Sequence, residues 1–492
     1  MRSLSTIEQK ELLCFLAIAT LFVFPLIQAN VTFADDTTRV IVGYPGWAFL
    51  GRPLATLISA FSSLGWVEKG ILDIGVWSQI MAAALLALSA FVFNQYLKRQ
   101  FHNGIFWLAA ILIINPYFLY NLSYRFDALA MTMGLFCTVY AFSLPIKHSF
   151  GSFKSILLLI AALSFYQSDI NLFIALTAIE LILYSDKNSW AQLIKNISVR
   201  AAQYAIALVV YYLSIAKIFM ANNHGRNNLV SLDSAGLENL ADNIGHYLSL
   251  AGDFFSPPII ILMAVFILYS VFHFLPFALK HANKKVLLSA PLLAALMYCV
   301  ALSGPMFLLA ENTASYRTMP AYFTFVALFI SLSYIARKQF SYSWLIPVYI
   351  AITLSFQYGI ALKTQRDFEV SISTMIYKDL LTAKLDNSAS YVDGGFAQAP
   401  RAKNLAASHQ FIQKSAQSAG GWVARALLIG QGIENVVFQW PHEYEAYEAT
   451  LTANFCASQS HVIAQNSQYS IYNSNGTNLI LLGKTLSHFC KT

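Results

Sequence analysis

The stretch LLCFLAIATLFVFPLIQANVTFADDTTR, residues 12–39, decides the class of this protein. Residues 12–30 are almost wholly apolar. A run of about 17–25 such residues crosses a hydrocarbon core of roughly 30 Å as a helix whose backbone hydrogen bonds are met internally. Directly beyond it stand two adjacent carboxylates, Asp35 and Asp36, then Arg39, in a 492-residue chain of which 11% is charged.

The composition outside this stretch points the same way. With 57% hydrophobic and 14% aromatic residues and a mean hydropathy of +0.56, the chain carries more apolar surface than one water-soluble core can bury. Hydropathy predicts eleven spans, near 12–30, 74–95, 105–121, 129–146, 154–167, 170–185, 201–220, 257–279, 286–310, 318–336 and 342–362. The first run is long for a secretory signal and no Ala-x-Ala-like site follows it, so it is expected to stay as a span. The fold class expected is an all-α polytopic membrane domain over 1–362, with an outer loop at 31–73, followed by a small α/β domain over 363–492.

Orientation follows from lysine and arginine, which accumulate in cytoplasmic loops. With the amino terminus inside, the inner loops hold fourteen of them, among them Lys98, Arg99, Lys284, Lys285, Arg337 and Lys338. The outer loops before residue 363 hold six: Arg39, Arg52, Lys69, Arg125, Arg226 and Arg317. The formal net charge of +7 is therefore a topology signal and not a nucleic-acid footprint. Acids run the other way, and because they do not set topology, their outward excess suggests that chemistry happens on the outer face. An odd span count puts the carboxyl-terminal domain on that side, periplasmic in a bacterial inner membrane.

In the tail, SYVDGGF (390–396) and NVVFQW (435–440) read as buried strands, and YSIYNSNGTNLILL (469–482) as two strands joined by an Asn-Gly turn. ASHQFIQKSAQSA (407–419) reads as a helix. The glycines at 394–395, 420–421 and 430–432 read as turn residues, since no phosphate-loop pattern surrounds them. Cys14, Cys137 and Cys299 fall in spans; Cys456 and Cys490 fall in the outer domain, where an oxidising compartment favours their pairing.

Two outer segments stand apart. Over 46–66, Leu50, Leu54, Leu57, Phe61 and Leu64 make one helical stripe, interrupted or begun at Gly51-Arg52-Pro53, which suits a helix in the interface plane. Residues 221–256, with Asn222, Asn223, His224, Arg226, Asn227 and Asn228, form a candidate lid or acceptor-binding loop. Charges at membrane depth are costly and usually face a cavity. NLSYRFDALAM (121–131) places Arg125 and Asp127 at one outer span end, SFYQSDINLF (164–173) places Gln167 and Asp169 at another, and ENTASYRTMP (311–320) adds Glu311 and Arg317. All share the level of Asp35 and Asp36, which suggests one outward cavity. Arg39 and Arg52 are as readily structural partners of Asp35, Asp36 or Glu68.

A double acid just after the first span, followed by an interfacial helix, resembles the GT-C superfamily of polytopic glycosyltransferases that draw sugar from a polyprenyl-phosphate carrier. More narrowly, DDTTRVIVGYPGWAFLGRPLATLI (35–58), NLSYRFDALAMTMG (121–134) and SFYQSDIN (164–171) look like the Gtr-type glucosyltransferases of serotype conversion, which decorate O-antigen. The resemblance covers roughly residues 30–340. It implies transfer of glucose from undecaprenyl-phosphate-glucose to O-antigen at the periplasmic face, downstream of a carrier-sugar synthase and a flippase. It also implies Asp35 as general base, with Asp36 as alternative or orienting partner, and Arg125 and Arg317 as phosphate ligands, because guanidinium binds phosphate bidentately. Asp127, Gln167 and Asp169 would hold sugar hydroxyls, and Arg39 and Arg52 complete the candidate substrate-binding set. No cofactor beyond the lipid-linked co-substrate is expected and no metal cluster is apparent, although Asp35 and Asp36 with Asp127 or Asp169 carry oxygens that suit one divalent ion. Two other readings remain. An O-antigen polymerase or ligase needs no acidic pair after the first span. A lipid-linked sugar flippase would show repeats and mid-span charges, whereas only Glu180 and Lys217 fall inside spans.

Overall fold

The computed structural model describes residues 4–65, 70–101, 105–146, 149–220, 228–231, 233–437, 454–456 and 460–490. The chain divides into two compact units, Met1–Ile27 with Pro45–Phe356, and Gln28–Tyr44 with Gln357–Thr492.

The first unit is helical. Among the described residues of the whole chain, seven helices are long and apolar enough to cross a membrane: Thr6–Ala29, Trp77–Gln100, Gln167–Tyr184, Trp190–Phe219, Pro257–Lys280, Lys284–Leu308 and Tyr342–Thr382. The protein is a multi-pass membrane protein. Three further expected spans are shorter apolar helices, Ala128–Ser143, Gly151–Phe165 and Thr324–Arg337. The expected span at 105–121 is broken into Phe106–Ile111 and Phe118–Ser123. Pro116 brings no backbone N–H, and the Asn115 side chain takes over locally: its Oδ1 accepts from the Tyr117 amide at 3.1 Å and its Nδ2 donates to the Pro320 carbonyl at 2.9 Å. Glu180, inside a span, accepts from the Tyr96 hydroxyl and faces Arg200 at 3.3 Å. The Arg200 guanidinium lies 4.0 Å over the Phe142 ring. The charge at depth is thus paired and stacked, as a low-dielectric interior demands.

The second unit holds a four-stranded sheet of β1 (Ser390–Gly394), β2 (His461–Gln465), β3 (Tyr469–Ser474) and β4 (Thr477–Leu482), in the order β1-β4-β3-β2. β1 runs parallel to β4, and the other pairs are antiparallel. The expected Asn-Gly hairpin is present, with Asn475 and Gly476 both at positive φ, 51° and 76°. Ile372, Ile376 and Leu380 from the long helix Leu345–Thr382 bury against Val392, Leu428, Ile471 and Ile480. The helix expected at 407–419 is instead two short ones, Pro400–Ser408 and Gln410–Ser415, because His409 is extended. Val436 makes a single parallel bridge to Ser390, and residues 438–440 of the NVVFQW stretch lie outside the described residues. Cys456 and Cys490 are disulfide-bonded. Gly394 sits at φ 89°, where an added Cβ would strike the Leu482 carbonyl, so this glycine serves a close backbone approach.

Candidate active site

In the first unit the site is built around the turn after Trp47. Ala48–Leu50 is a 3₁₀ turn, Gly51 takes a left-handed conformation at φ 75°, and Pro53 opens the helix Pro53–Ser62 at its first position. A Cβ at Gly51 would meet Met220 Sδ and the Tyr211 hydroxyl. The helix begins at the Gly-Arg-Pro signal, and it turns its small residues Ala55, Ser59 and Ala60 inward while Leu57, Phe61 and Leu64 stay exposed.

This turn delivers Arg52 to a defined place. Its Nε donates to Gln167 Oε1 at 2.6 Å, and its guanidinium lies 4.4 Å over the Tyr166 ring. Gln167 Nε2 donates to the Leu50 carbonyl at 2.6 Å and to the Tyr211 hydroxyl at 3.0 Å, while Tyr211 donates to the Gly51 carbonyl at 2.8 Å. Among the described residues no carboxylate forms an ion pair with Arg52. Burial lowers its proton affinity; Tyr166 and Asp127 oppose that and Arg317 adds to it. Glu68, a partner considered from sequence, lies outside the described residues.

The neighbouring residues differ in their engagement. Asp127 Oδ1 accepts from the Trp47 indole N–H. Arg125 is ion-paired with Asp73, and its carbonyl accepts from the Ser78 hydroxyl. The Arg317 guanidinium lies 5.4 Å from the Tyr124 ring centre. The Arg317 carbonyl accepts from Asn121 Nδ2 at 3.0 Å and from Ser168 Oγ at 3.4 Å. Asp169 is fully buried beside Gly134, where an added Cβ would collide with Oδ2. Neither Asp169 oxygen accepts a hydrogen bond of good side-chain geometry among the described residues. Arg52, Asp127, Gln167, Asp169 and Arg317 therefore share one neighbourhood, and Arg125 is turned to Asp73. Trp47, Tyr166 and Tyr211 belong to it as well. Each is an aromatic in an apolar run, with no local pattern to pick it out.

Asp35, Asp36 and Arg39 belong to the second unit, on the helix Asp35–Val42 packed against Gly421–Gly430. Neighbouring helical positions point about 100° apart, and the two acids differ accordingly. Asp36 is fully buried with Arg39 Nη1 at 3.7 Å from its Oδ1. Asp35 is partly exposed. Upstream, the Thr32 carbonyl accepts from Arg366 Nη2 at 2.5 Å, and Arg366 Nε lies 3.7 Å from Glu369 Oε2. Glu369 Oε1 in turn accepts from the Ala419 amide at 2.6 Å and from Gln365 Nε2 at 2.9 Å. The acidic helix is thus anchored to the carboxyl-terminal domain. Among the described residues no group of three or more His, Cys, Asp or Glu converges to hold a metal.

The family model for glucosyl transferase GtrII matches residues 24–334. An uncharacterised 55.3 kDa protein from the gtrB 5′ region of Salmonella phage P22 is 26% identical over 234 residues. That alignment covers 47% of this chain and 48% of the phage protein, so the chain spans about half the length of the curated relative it matches. No solved structure matches it significantly.

Proposed function

The chain belongs to the GtrII glucosyl transferase family, and from that premise we propose that it moves glucose from undecaprenyl-phosphate-glucose to an O-antigen acceptor at the periplasmic face of the inner membrane, as a GT-C-type enzyme. The observation that carries this reading is the family match itself. It spans the acidic pair at 35–36 and all the cationic and polar residues gathered around Arg52 and Arg317.

Roles follow from accessibility and charge. Asp35 is the general base: it takes the proton of the acceptor hydroxyl as that oxygen attacks the anomeric carbon and the bond to phosphate breaks. Asp36, buried against Arg39, is a positioning residue that holds the helix carrying Asp35. The leaving undecaprenyl phosphate needs cations. Arg52 suits this best, because its Nε is tied, its face is stacked and no carboxylate among the described residues pairs with it, and Arg317 is its partner. Arg125, engaged by Asp73, holds the Tyr124–Asp127 corner in place. Asp127, Gln167 and Asp169 are assigned to sugar hydroxyls, with Gln167 also fixing Arg52. No metal is assigned a role.

The test is O-antigen glycosylation on lipopolysaccharide from cells with intact carrier-sugar synthesis. Asp35→Asn should leave unmodified, full-length O-antigen with the protein inserted at its normal level. Normal modification by that variant overturns the assignment of the base. Loss of O-antigen chain length instead favours a polymerase or ligase.

A further inference from the structure

The helix Ser234–Gly252 falls in the segment read from sequence as a lid or acceptor-binding loop, of which Asn222–Asn227 lie outside the described residues. Its hydrogen bonding and exposure point elsewhere. We propose that this helix lies in the membrane–water interface, with acyl chains of the bilayer as the partner of its apolar flank.

Three faces carry the argument. The inward face is polar. Asn239 Nδ2 donates to the Ala310 carbonyl at 3.0 Å, Asn243 Nδ2 to the Phe307 and Leu309 carbonyls at 3.1 and 2.9 Å, and the Tyr247 hydroxyl meets Thr318 Oγ1 at 3.2 Å. A second face carries Leu237, Ala241, Ile244 and Leu248, at i, i+4, i+7 and i+11, and its three large members are 67%, 43% and 56% exposed. The third carries Glu238, Asp242 and Ser249, all exposed. At 100° per residue the second and third faces lie roughly 110° apart around the axis. A lid in water would bury its large apolar residues and expose its asparagines; here Asn239 and Asn243 bond inward while Leu237, Ile244 and Leu248 stay exposed, and of the leucines only Leu240 and Leu250 are partly covered. An apolar row beside an acidic row on one exposed surface fits a helix at the boundary, one flank in lipid and the other in water.

What covers the apolar row is indicated by its continuation. Only four residues separate Gly252 from the span Pro257–Lys280, whose Ile260, Ile261, Val265 and Leu268 are exposed as lipid-facing residues are. Asp233 fixes the other end, its Oδ1 accepting from the Gly236 amide at 2.8 Å. Because the polar row is acidic, attachment comes from the apolar flank and the asparagine bonds and not from attraction to anionic lipid. The Tyr247–Thr318 contact then holds the backbone next to Arg317 at headgroup depth. That consequence, unlike the placement of the helix, rests on the reading of Arg317 as a phosphate ligand.

The test is spin-label accessibility in phosphatidylethanolamine–phosphatidylglycerol liposomes, on the full chain with Cys14, Cys137 and Cys299 changed to alanine and the Cys456–Cys490 bond kept. Leu237→Cys, Ile244→Cys and Leu248→Cys should show an oxygen-to-nickel-chelate ratio severalfold above that of Glu238→Cys, Asp242→Cys and Ser249→Cys. Equal chelate access in both rows would make the helix a water-borne lid and overturn the proposal. Exclusion of both reagents from the apolar row would mean a protein partner and overturn it too. Brominated-lipid quenching of Ile244→Trp, measured against the parent protein with its cysteines intact, provides a second reading: no added quenching contradicts the placement. Neither measurement depends on transferase activity.

Discussion

Arg52→Lys isolates what a guanidinium does that a positive charge alone cannot. Lysine keeps the charge but loses the Nε bond to Gln167 at 2.6 Å and the stacking 4.4 Å over Tyr166. A hydrogen bond to a charged group contributes roughly 1.5–3 kcal/mol, and a partly desolvated cation–π contact about 1 kcal/mol. The variant therefore forfeits about 2.5–4 kcal/mol of ordering. At ~1.4 kcal/mol per factor of ten, this allows a loss of donor affinity of about 60-fold to several hundred-fold, less whatever part appears as lowered stability of the Leu50–Gln167–Tyr211 turn. The assay is the dependence of initial transfer rate on undecaprenyl-phosphate-glucose in nanodiscs, with thermal unfolding measured alongside. A rise of at least about tenfold in the apparent donor constant is expected. Donor dependence and thermal stability both within about twofold of the parent would show that the guanidinium has no special role there and refute the reasoning.

Other perturbations separate scaffold from chemistry. Gln167→Leu leaves Arg52 Nε and the Leu50 carbonyl without their partner and should weaken donor use in the same direction as Arg52→Lys, with the double variant less than additive. Asp36→Asn removes one side of the buried pair with Arg39 and should cost about 3 kcal/mol, seen as a lower melting temperature; unchanged melting would contradict the structural role of Asp36. Glu369→Ala strips the acceptor from the Ala419 amide and frees Gln365, whose Oε1 accepts from the Ala399 amide at 2.8 Å, and should speed hydrogen exchange at Ala419 and Ala399, at a cost of about 2–3 kcal/mol. Reduction of Cys456–Cys490, which closes a 34-residue separation, should lower the stability of the carboxyl-terminal domain by roughly 3–4 kcal/mol on the loop-entropy account, measured by urea unfolding with and without reductant.

Local chemistry explains what could be read in advance. The Asn-Gly turn at 475–476, the helix start at Gly51-Arg52-Pro53 and the long apolar helices each declare themselves within a few residues, through positive φ, a missing amide or hydropathy. The break inside 105–121 did not, because a hydropathy window averages over Asn115 and Pro116, whose side-chain and backbone geometry decide it. β2 was missed because HVIAQ lacks a clean two-residue alternation and takes its place from pairing with β3. The site shows the same division. Arg52, Asp127, Gln167, Asp169 and Arg317 were legible as charged or polar residues at the ends of apolar runs. That Trp47 would reach Asp127 across eighty positions, or that Asp73 would claim Arg125, depends on helix packing that no local pattern encodes. Likewise the difference between Asp35 and Asp36 appears only once a helix turns one of them inward.

The most direct measurement is glucosyl transfer by purified protein in liposomes, with radiolabelled undecaprenyl-phosphate-glucose as donor and O-antigen lipopolysaccharide as acceptor, comparing the parent with Asp35→Asn at matched melting temperature. Loss of a general base should slow the initial rate by about 10²–10⁴-fold with donor binding retained. Transfer by Asp35→Asn at the parent's rate, or no transfer by the parent from this donor, would contradict the account.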